Sequence, residues 1–134
     1  MTLNFAYILL AVLIGFFALM IGMRIAIQFK ASSLKGKSAP ALSNAYGKII
    51  RENPKSLFYF YSPGCGACRS MTPVIKTLSE TNRNIAAIDI SSDMSTARSF
   101  SIMATPTLVL IDDGLIKDVF IGPQSASAIE NLLA

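Results

Sequence analysis

The sequence predicts an α/β domain, a mixed sheet flanked by helices, preceded by one transmembrane helix. Three observations point there. Residues Leu3 to Met23, "LNFAYILLAVLIGFFALMIGM", form a run of 21 residues without a charge. Beyond it, short apolar runs rich in aromatic and β-branched residues alternate with stretches of helical period, the pattern of strands joined through helices. What remains after the apolar run, roughly residues 38 to 134, is the size of one small domain.

The apolar run is long enough to cross a hydrocarbon core of about 30 Å as a helix rising about 1.5 Å per residue. The alternative is a cleaved signal peptide, but the start "MT" carries no side-chain charge and the apolar stretch exceeds the usual 7–15 residues. Residues 1–29 are therefore expected to form a membrane anchor with a basic flank, 30–42 a linker, and 43–134 the folded domain. Along the anchor, Ala11, Gly15, Ala18 and Gly22 form a small-residue stripe, a candidate face for self-association in lipid.

Net charge is +4, and its origin is local. Arg24, Lys30, Lys35 and Lys37 follow the apolar run closely, whereas from Ser38 onward eight basic residues are matched by eight acidic ones. The domain is thus neutral and carries no signature of nucleic-acid binding. Flanking basic residues tend to stay cytoplasmic, so they place the domain on the cytoplasmic side. A periplasmic or lumenal side is the alternative, because tethered dithiol domains suit oxidising compartments.

"KASSLKGKSAPA" has no apolar period and reads as a linker. Ser43 opens a helix, "SNAYGKIIREN", that Asn53-Pro54 closes. "SLFYFY" reads as a central strand buried on both faces. A helix is predicted from Cys65 to about Ser79, with Met71, Val74, Ile75 and Leu78 inward. "NIAAIDI" reads as a second strand and "DMSTARSF" as a short helix. "TPTLVLI" and "IKDVFI" make a hairpin around Asp113-Gly114, and Ser125 caps a last helix. The early strands, joined through helices, are expected to be parallel, with the antiparallel hairpin at one edge.

"SPGCGACRS", residues 62–70, holds the only two cysteines. A zinc site normally needs four ligands, and the chain has no histidine, so a metal would have to be shared across a dimer. A structural disulfide would close a ring too small to stabilise much. A redox pair explains the placement. Only the thiolate attacks a disulfide, and free cysteine has a pKa of about 8.5. At a strand-to-helix junction, free N–H groups favour the charge on Cys65, and Arg69 adds positive potential. Gly64 and Gly66 leave room for another protein's disulfide, and Cys68 is one turn away, placed to attack the mixed disulfide.

With these features the chain resembles the thioredoxin superfamily from about Lys48 to Leu133. "CGAC" differs from the family's "CGPC" only at Ala67, Pro73 falls where the family's active-site helix has its proline, and "ATPTLVLI" is similar to the family's strand opened by a cis-proline. Gly114 and Gly122 fall at the family's hairpin turn and near its substrate groove. The resemblance implies a thioredoxin-like fold, Cys65 as nucleophile and Cys68 as resolving thiol, with no cofactor or metal beyond the dithiol. It implies a cis Pro106, and a groove formed by Gly64, Gly66, Ala67, Thr105, Pro106 and Gly122 that pairs with an extended substrate segment. Partners would be protein disulfides or dithiols, a recycling reductase or oxidase, and the lipid membrane.

Several positions depart from the family. Its buried Asp behind the second cysteine corresponds to Tyr59, read here as a packed aromatic. Its two tryptophans correspond to Tyr61 and Gly64, and its Lys near that Asp to Ala87. No candidate for the first strand stands between Lys37 and Ser43, so the fold is expected to lack it. The expected activity is membrane-tethered thiol–disulfide exchange. The alternative function is a redox-inactive binding module at a membrane, its groove around Pro106.

Overall fold

A computed structural model describes residues 2–134, which divide into two units at Lys30. The first is made by a single long helix, α1 (Thr2–Ser32), whose last two residues belong to the second unit. From Phe5 to Phe29 its large apolar side chains are exposed except the half-buried Ile27, and the 29-residue stretch Asn4–Ser32 is long and apolar enough to cross a membrane. Leucine, isoleucine and phenylalanine point out on every side, so the helix has no polar face to turn to water.

The second unit runs from Ala31 to Ala134 and carries all the remaining elements. In order they are α2 (Ala45–Glu52), β1 (Lys55–Tyr61), a 3-10 turn (Gly66–Cys68), α3 (Met71–Thr81), β2 (Ile85–Asp89), α4 (Met94–Ser99), β3 (Thr107–Asp112), β4 (Leu115–Ile121) and α5 (Ala126–Leu133). One four-stranded sheet has the order β2-β1-β3-β4. Among the described residues no strand precedes β1, as expected from the missing signal before Ser43.

β1 and β2 are parallel, with Leu57 opposite Ile85 and Tyr61 opposite Asp89. β3 runs antiparallel to β1 as well as to β4, so the antiparallel part of the sheet is larger than the edge hairpin the sequence predicts. The connection explains the reversal. A parallel crossover must carry the chain back along the strand, and α4, at six residues, spans only about 9 Å. Residues 90–106 lay α4 and Phe100 against one face of the sheet and come back to the end where β2 finishes, and the chain enters β3 from there. That end therefore collects the C-terminus of β1, the start of β3 and the end of β4.

Alternation along β1 builds two cores. Phe58 and Phe60 point to one face, with Ile88, Val109, Ile111, Ala97 and Phe100, covered by α2 and α4. Leu57 and Tyr59 point to the other, with Ile85, Leu108, Met71, Ile75 and Ile129, covered by α3 and α5. Phe100 sits between Phe58 and Phe60, with both ring centroids 5.3 Å away. Caps fix the helix starts: Asn44 accepts from the N–H groups of Tyr46 and Gly47, Asp93 from Thr96, and Ser125 from Ala128.

The stretch 33–42, which reads as a linker, lies ordered along the domain. Gly36 N–H donates to the Ile116 carbonyl, Ile116 N–H to Lys37 and Ala39 N–H to Gly114, each at 2.8 Å. Leu34, Ala39 and Leu42 pack on the Phe58 core, and Lys35 Nζ lies 2.6 Å from Asp118 Oδ1. This strap covers part of the exposed edge of β4, whose backbone groups would otherwise be free to pair with another chain.

Candidate active site

After Tyr61 the chain leaves the sheet and turns back on itself. Cys65 N–H donates to the Ser62 carbonyl at 3.1 Å, and Cys65 caps the 3-10 turn with extended backbone (φ −79°, ψ 108°). Cys65 and Cys68 form a disulfide, their Cα atoms 5.3 Å apart. The two sulfurs are unequal: Cys65 is half-buried, whereas Cys68 is 2% exposed. Cys68 N–H is shared between the Cys65 carbonyl and Cys65 Sγ, each at 3.2 Å.

The helix predicted from Cys65 is instead a 3-10 turn followed by α3 from Met71. Pro73 supplies the reason. It has no N–H to donate to the Arg69 carbonyl four residues back, so α-helical bonding cannot extend through Arg69. Its place in the first turn of α3 is one where an N–H would lack an intrahelical partner anyway. Pro73 thus sets the start of the helix.

A cleft of about 460 Å³ opens beside the disulfide. Cys65, Cys68, Arg69, Pro73 and Tyr61 line it together with Ser62, Pro63, Thr72, Lys76 and Asp89. Lys76 Nζ stands 5.6 Å from the centroid of the Tyr61 ring, and Tyr61 stacks on Tyr59 at 5.4 Å with 9° between planes. Asp89 Oδ1 is taken by the N–H and hydroxyl of Ser91, at 2.9 and 2.6 Å.

Gly64, Gly66 and Ala67 are exposed on the loop that carries the cysteines, and they do not line that cleft. A Cβ added to Gly64 or Gly66 would meet nothing within 4 Å, so these glycines leave the surface beside Cys65 open. Thr105, Pro106 and Gly122 form a separate group at the same end of the sheet. The Thr105–Pro106 peptide is cis, as the resemblance implied. Thr107 Oγ1 donates to the Ala104 carbonyl at 2.7 Å and holds the loop before β3. Gly122 N–H donates to the Pro106 carbonyl at 2.8 Å, and Gly122 has φ +96°, where a side chain would be strained. Register joins the two groups: Phe60 pairs with Thr107, and Thr107 with Ile121. Tyr61 and Pro106 are each one residue beyond that row.

Behind the disulfide stands Tyr59, fully buried. It is packed as expected, but its hydroxyl has specific partners: Thr72 Oγ1 at 2.9 Å and the Cys68 carbonyl at 3.4 Å. Thr72 Oγ1 donates to the same carbonyl at 2.8 Å. Burial pushes the Tyr59 phenol above its ordinary pKa of about 10 and the neighbouring Tyr61 adds to this, against the opposing effect of the hydrogen bond it shares with Thr72. The phenol is therefore neutral at physiological pH and is no general base. Thr72 was not among the sequence candidates. Its one signal was the spacing of four from Cys68, at which a helical hydroxyl can bond the carbonyl of the preceding turn.

No cluster of His, Cys, Asp or Glu able to hold a metal occurs among the described residues. The site has what thiol–disulfide exchange needs: an accessible sulfur, a second sulfur behind it, and an N–H aimed at the first.

Comparison with known proteins bears on the same region. The Thioredoxin family model matches residues 38–134. Over 98 residues the chain is 34% identical to "Thioredoxin Y2, chloroplastic" of Arabidopsis thaliana, covering 67% of this chain and 59% of that protein. Over 130 residues it is 28% identical to "Protein disulfide-isomerase 2-3" of the same plant, covering 92% of this chain but only 27% of the relative. The chain thus spans about a quarter of one of these relatives and about three fifths of the other. Among solved structures, a point mutant of thioredoxin from Halobacterium salinarum superposes with a TM-score of 0.56 at 31% identity, covering 63% of this chain and 76% of that one. Fasciola hepatica thioredoxin gives 0.55 at 29% identity, covering 64% and 86%. Sheet order, cis-proline, cysteine pair and family match agree, and the chain belongs to the thioredoxin family.

Proposed function

We propose that the protein is a thiol–disulfide oxidoreductase tethered to a membrane, acting on protein disulfides or dithiols. The observation that carries the reading is the asymmetry of the Cys65–Cys68 pair: a half-buried sulfur at the surface receives an N–H bond, and a buried one lies behind it. In the reducing direction the Cys65 thiolate attacks one sulfur of a substrate disulfide. A mixed disulfide forms and one substrate thiolate leaves. The Cys68 thiolate then attacks Cys65 Sγ, the second substrate thiolate leaves, and the Cys65–Cys68 disulfide results. Two electrons pass to the substrate, whose thiolates take up protons from water. A partner dithiol resets the pair, and the oxidising direction is the same sequence reversed.

The exposed loop at Gly64, Gly66 and Ala67 supports approach of a folded substrate, and the Thr105–Pro106 segment with Gly122 supports docking of an extended strand beside it. The anchor reading rests on α1, which has no polar face. Arg24, Lys30, Lys35 and Lys37 favour a cytoplasmic domain.

The test is turnover of a peptide disulfide with dithiothreitol as reductant, using full-length protein in detergent. Wild type accelerates the reaction, Cys65→Ser is inactive, and Cys68→Ser accumulates a mixed disulfide at Cys65. Full activity in Cys65→Ser would end the oxidoreductase reading. Release of the protein from membranes by alkaline carbonate would end the anchor reading.

A further inference from the structure

The Tyr59 hydroxyl is buried, and nothing in the exchange steps uses it. Its protons can be assigned by counting. Thr72 Oγ1 has one hydrogen and spends it on the Cys68 carbonyl at 2.8 Å. The 2.9 Å contact between Thr72 Oγ1 and Tyr59 must then be filled by the Tyr59 hydrogen, which also leans toward the Cys68 carbonyl at 3.4 Å. Donation thus runs one way, from Tyr59 to Thr72 to the Cys68 C=O. At its other end the same residue, Cys68, points its N–H at Cys65 Sγ at 3.2 Å. Cys68 is clamped through both of its main-chain polar groups.

We propose that Tyr59 and Thr72 are positioning residues for the nucleophile. Their hydroxyls fix the Cys68 carbonyl, and this keeps the Cys68 N–H aimed at the Cys65 sulfur, where it stabilises the thiolate. A hydrogen bond to the charged form of a thiol favours that form and lowers its pKa. The neutral state of Tyr59 fits the assignment, because a phenolate would have no hydrogen to give Thr72. Both Tyr59 and Thr72 are rigidly placed, one in the central strand and one in the first turn of α3. The role rests on the oxidoreductase reading only in naming Cys65 the nucleophile.

The test is alkylation of the reduced full-length protein by iodoacetamide across a pH series, with modification of Cys65 separated from that of Cys68 by peptide mass. The other titratable groups around the pair are Tyr61 from β1, Arg69 and Lys76 from the segment after the cysteines, and Asp89 at the end of β2. All stay in place in every variant. Tyr59→Phe and Thr72→Val should alkylate about three-fold more slowly at neutral pH, with the midpoint about half a pH unit higher and equal rates at high pH. Thr72→Ser keeps the hydroxyl and should match wild type. Superimposable profiles for wild type and Tyr59→Phe would overturn the proposal, as would a Thr72→Ser protein as slow as Thr72→Val. Should Thr72→Val fail to fold, Tyr59→Phe decides, since it deletes one oxygen and keeps the ring. Alkylation reports the thiolate without turnover, so failure here leaves the oxidoreductase reading standing.

Discussion

Replacing Gly47 by alanine sets two effects of opposite sign against each other. Gly47 lies in the third position of α2, where alanine should be the better helix former by about 1 kcal/mol. The residue is buried, however, and a Cβ built on it would run into the carbonyl of Leu42. That carbonyl is main chain, so no change of rotamer can make room. It also accepts a hydrogen bond from Arg51 Nη1 at 3.2 Å, and the Leu42 side chain packs on the Phe58 core.

Introducing bulk where the neighbour cannot yield costs about 1–3 kcal/mol, and a main-chain obstacle belongs at the upper end. Subtracting the helix gain of about 1 leaves a net loss of about 2 kcal/mol. For a domain of this size that lowers Tm by about 8–16 °C. The assay is thermal unfolding of the full-length oxidised protein in detergent, followed by near-UV circular dichroism of the tyrosines. Lys48→Ala, on the exposed side of the same helix, is the control and should move stability by no more than about 0.5 kcal/mol. An unchanged or raised Tm in Gly47→Ala would refute the reasoning. It would mean that residues 38–44 are not seated against α2.

Two further outcomes follow from the cores and the buried phenols. Phe100→Ala removes a ring held between Phe58 and Phe60 and should cost about 3–5 kcal/mol in urea unfolding, while Cys65 keeps its reactivity in the folded fraction. Burial raises the pKa of both Tyr59 and Tyr46. A folded pKa above the unfolded value gives stability that is fully present below about pH 10 and is lost as pH rises through the folded value. The urea midpoint should therefore fall above pH 10, and Tyr59→Phe should lessen that slope; an unaltered slope would place the Tyr59 hydroxyl in contact with water.

Periodicity carried most of the fold. "SLFYFY" and "TLVLI" are apolar throughout because helices cover both faces of the sheet, and the two α2 isoleucines and the Met71–Ile75 spacing mark the sides those helices turn inward. The direction of β3 was not legible, since hydrophobicity records burial and not polarity of the strand. It is set by a connection too short to return. The strap was hidden for a different reason: its main attachments are backbone hydrogen bonds to β4, which leave no trace in residue type. Only Leu34, Ala39 and Leu42 betray it, and they are dispersed among Lys, Ser and Gly.

At the site, the pair Cys65 and Cys68 could be found from spacing, and Pro106 and Gly122 from the family resemblance, because each answers a backbone or covalent demand that few residue types meet. Tyr59 and Thr72 answer a softer one. A tyrosine in a central strand is explained by packing alone, and a threonine on a helix by exposure alone. Read separately, neither suggests a role. Their meaning lies in a hydroxyl-to-hydroxyl contact across 13 residues of sequence, converging on one carbonyl. The fold supplies that convergence by bringing Thr72, in the first turn of α3, to the hydroxyl of Tyr59 on β1. The position where the resemblance implies a buried Asp is here filled by a neutral hydroxyl donor. The Tyr59–Thr72 end of the site therefore stays uncharged at neutral pH.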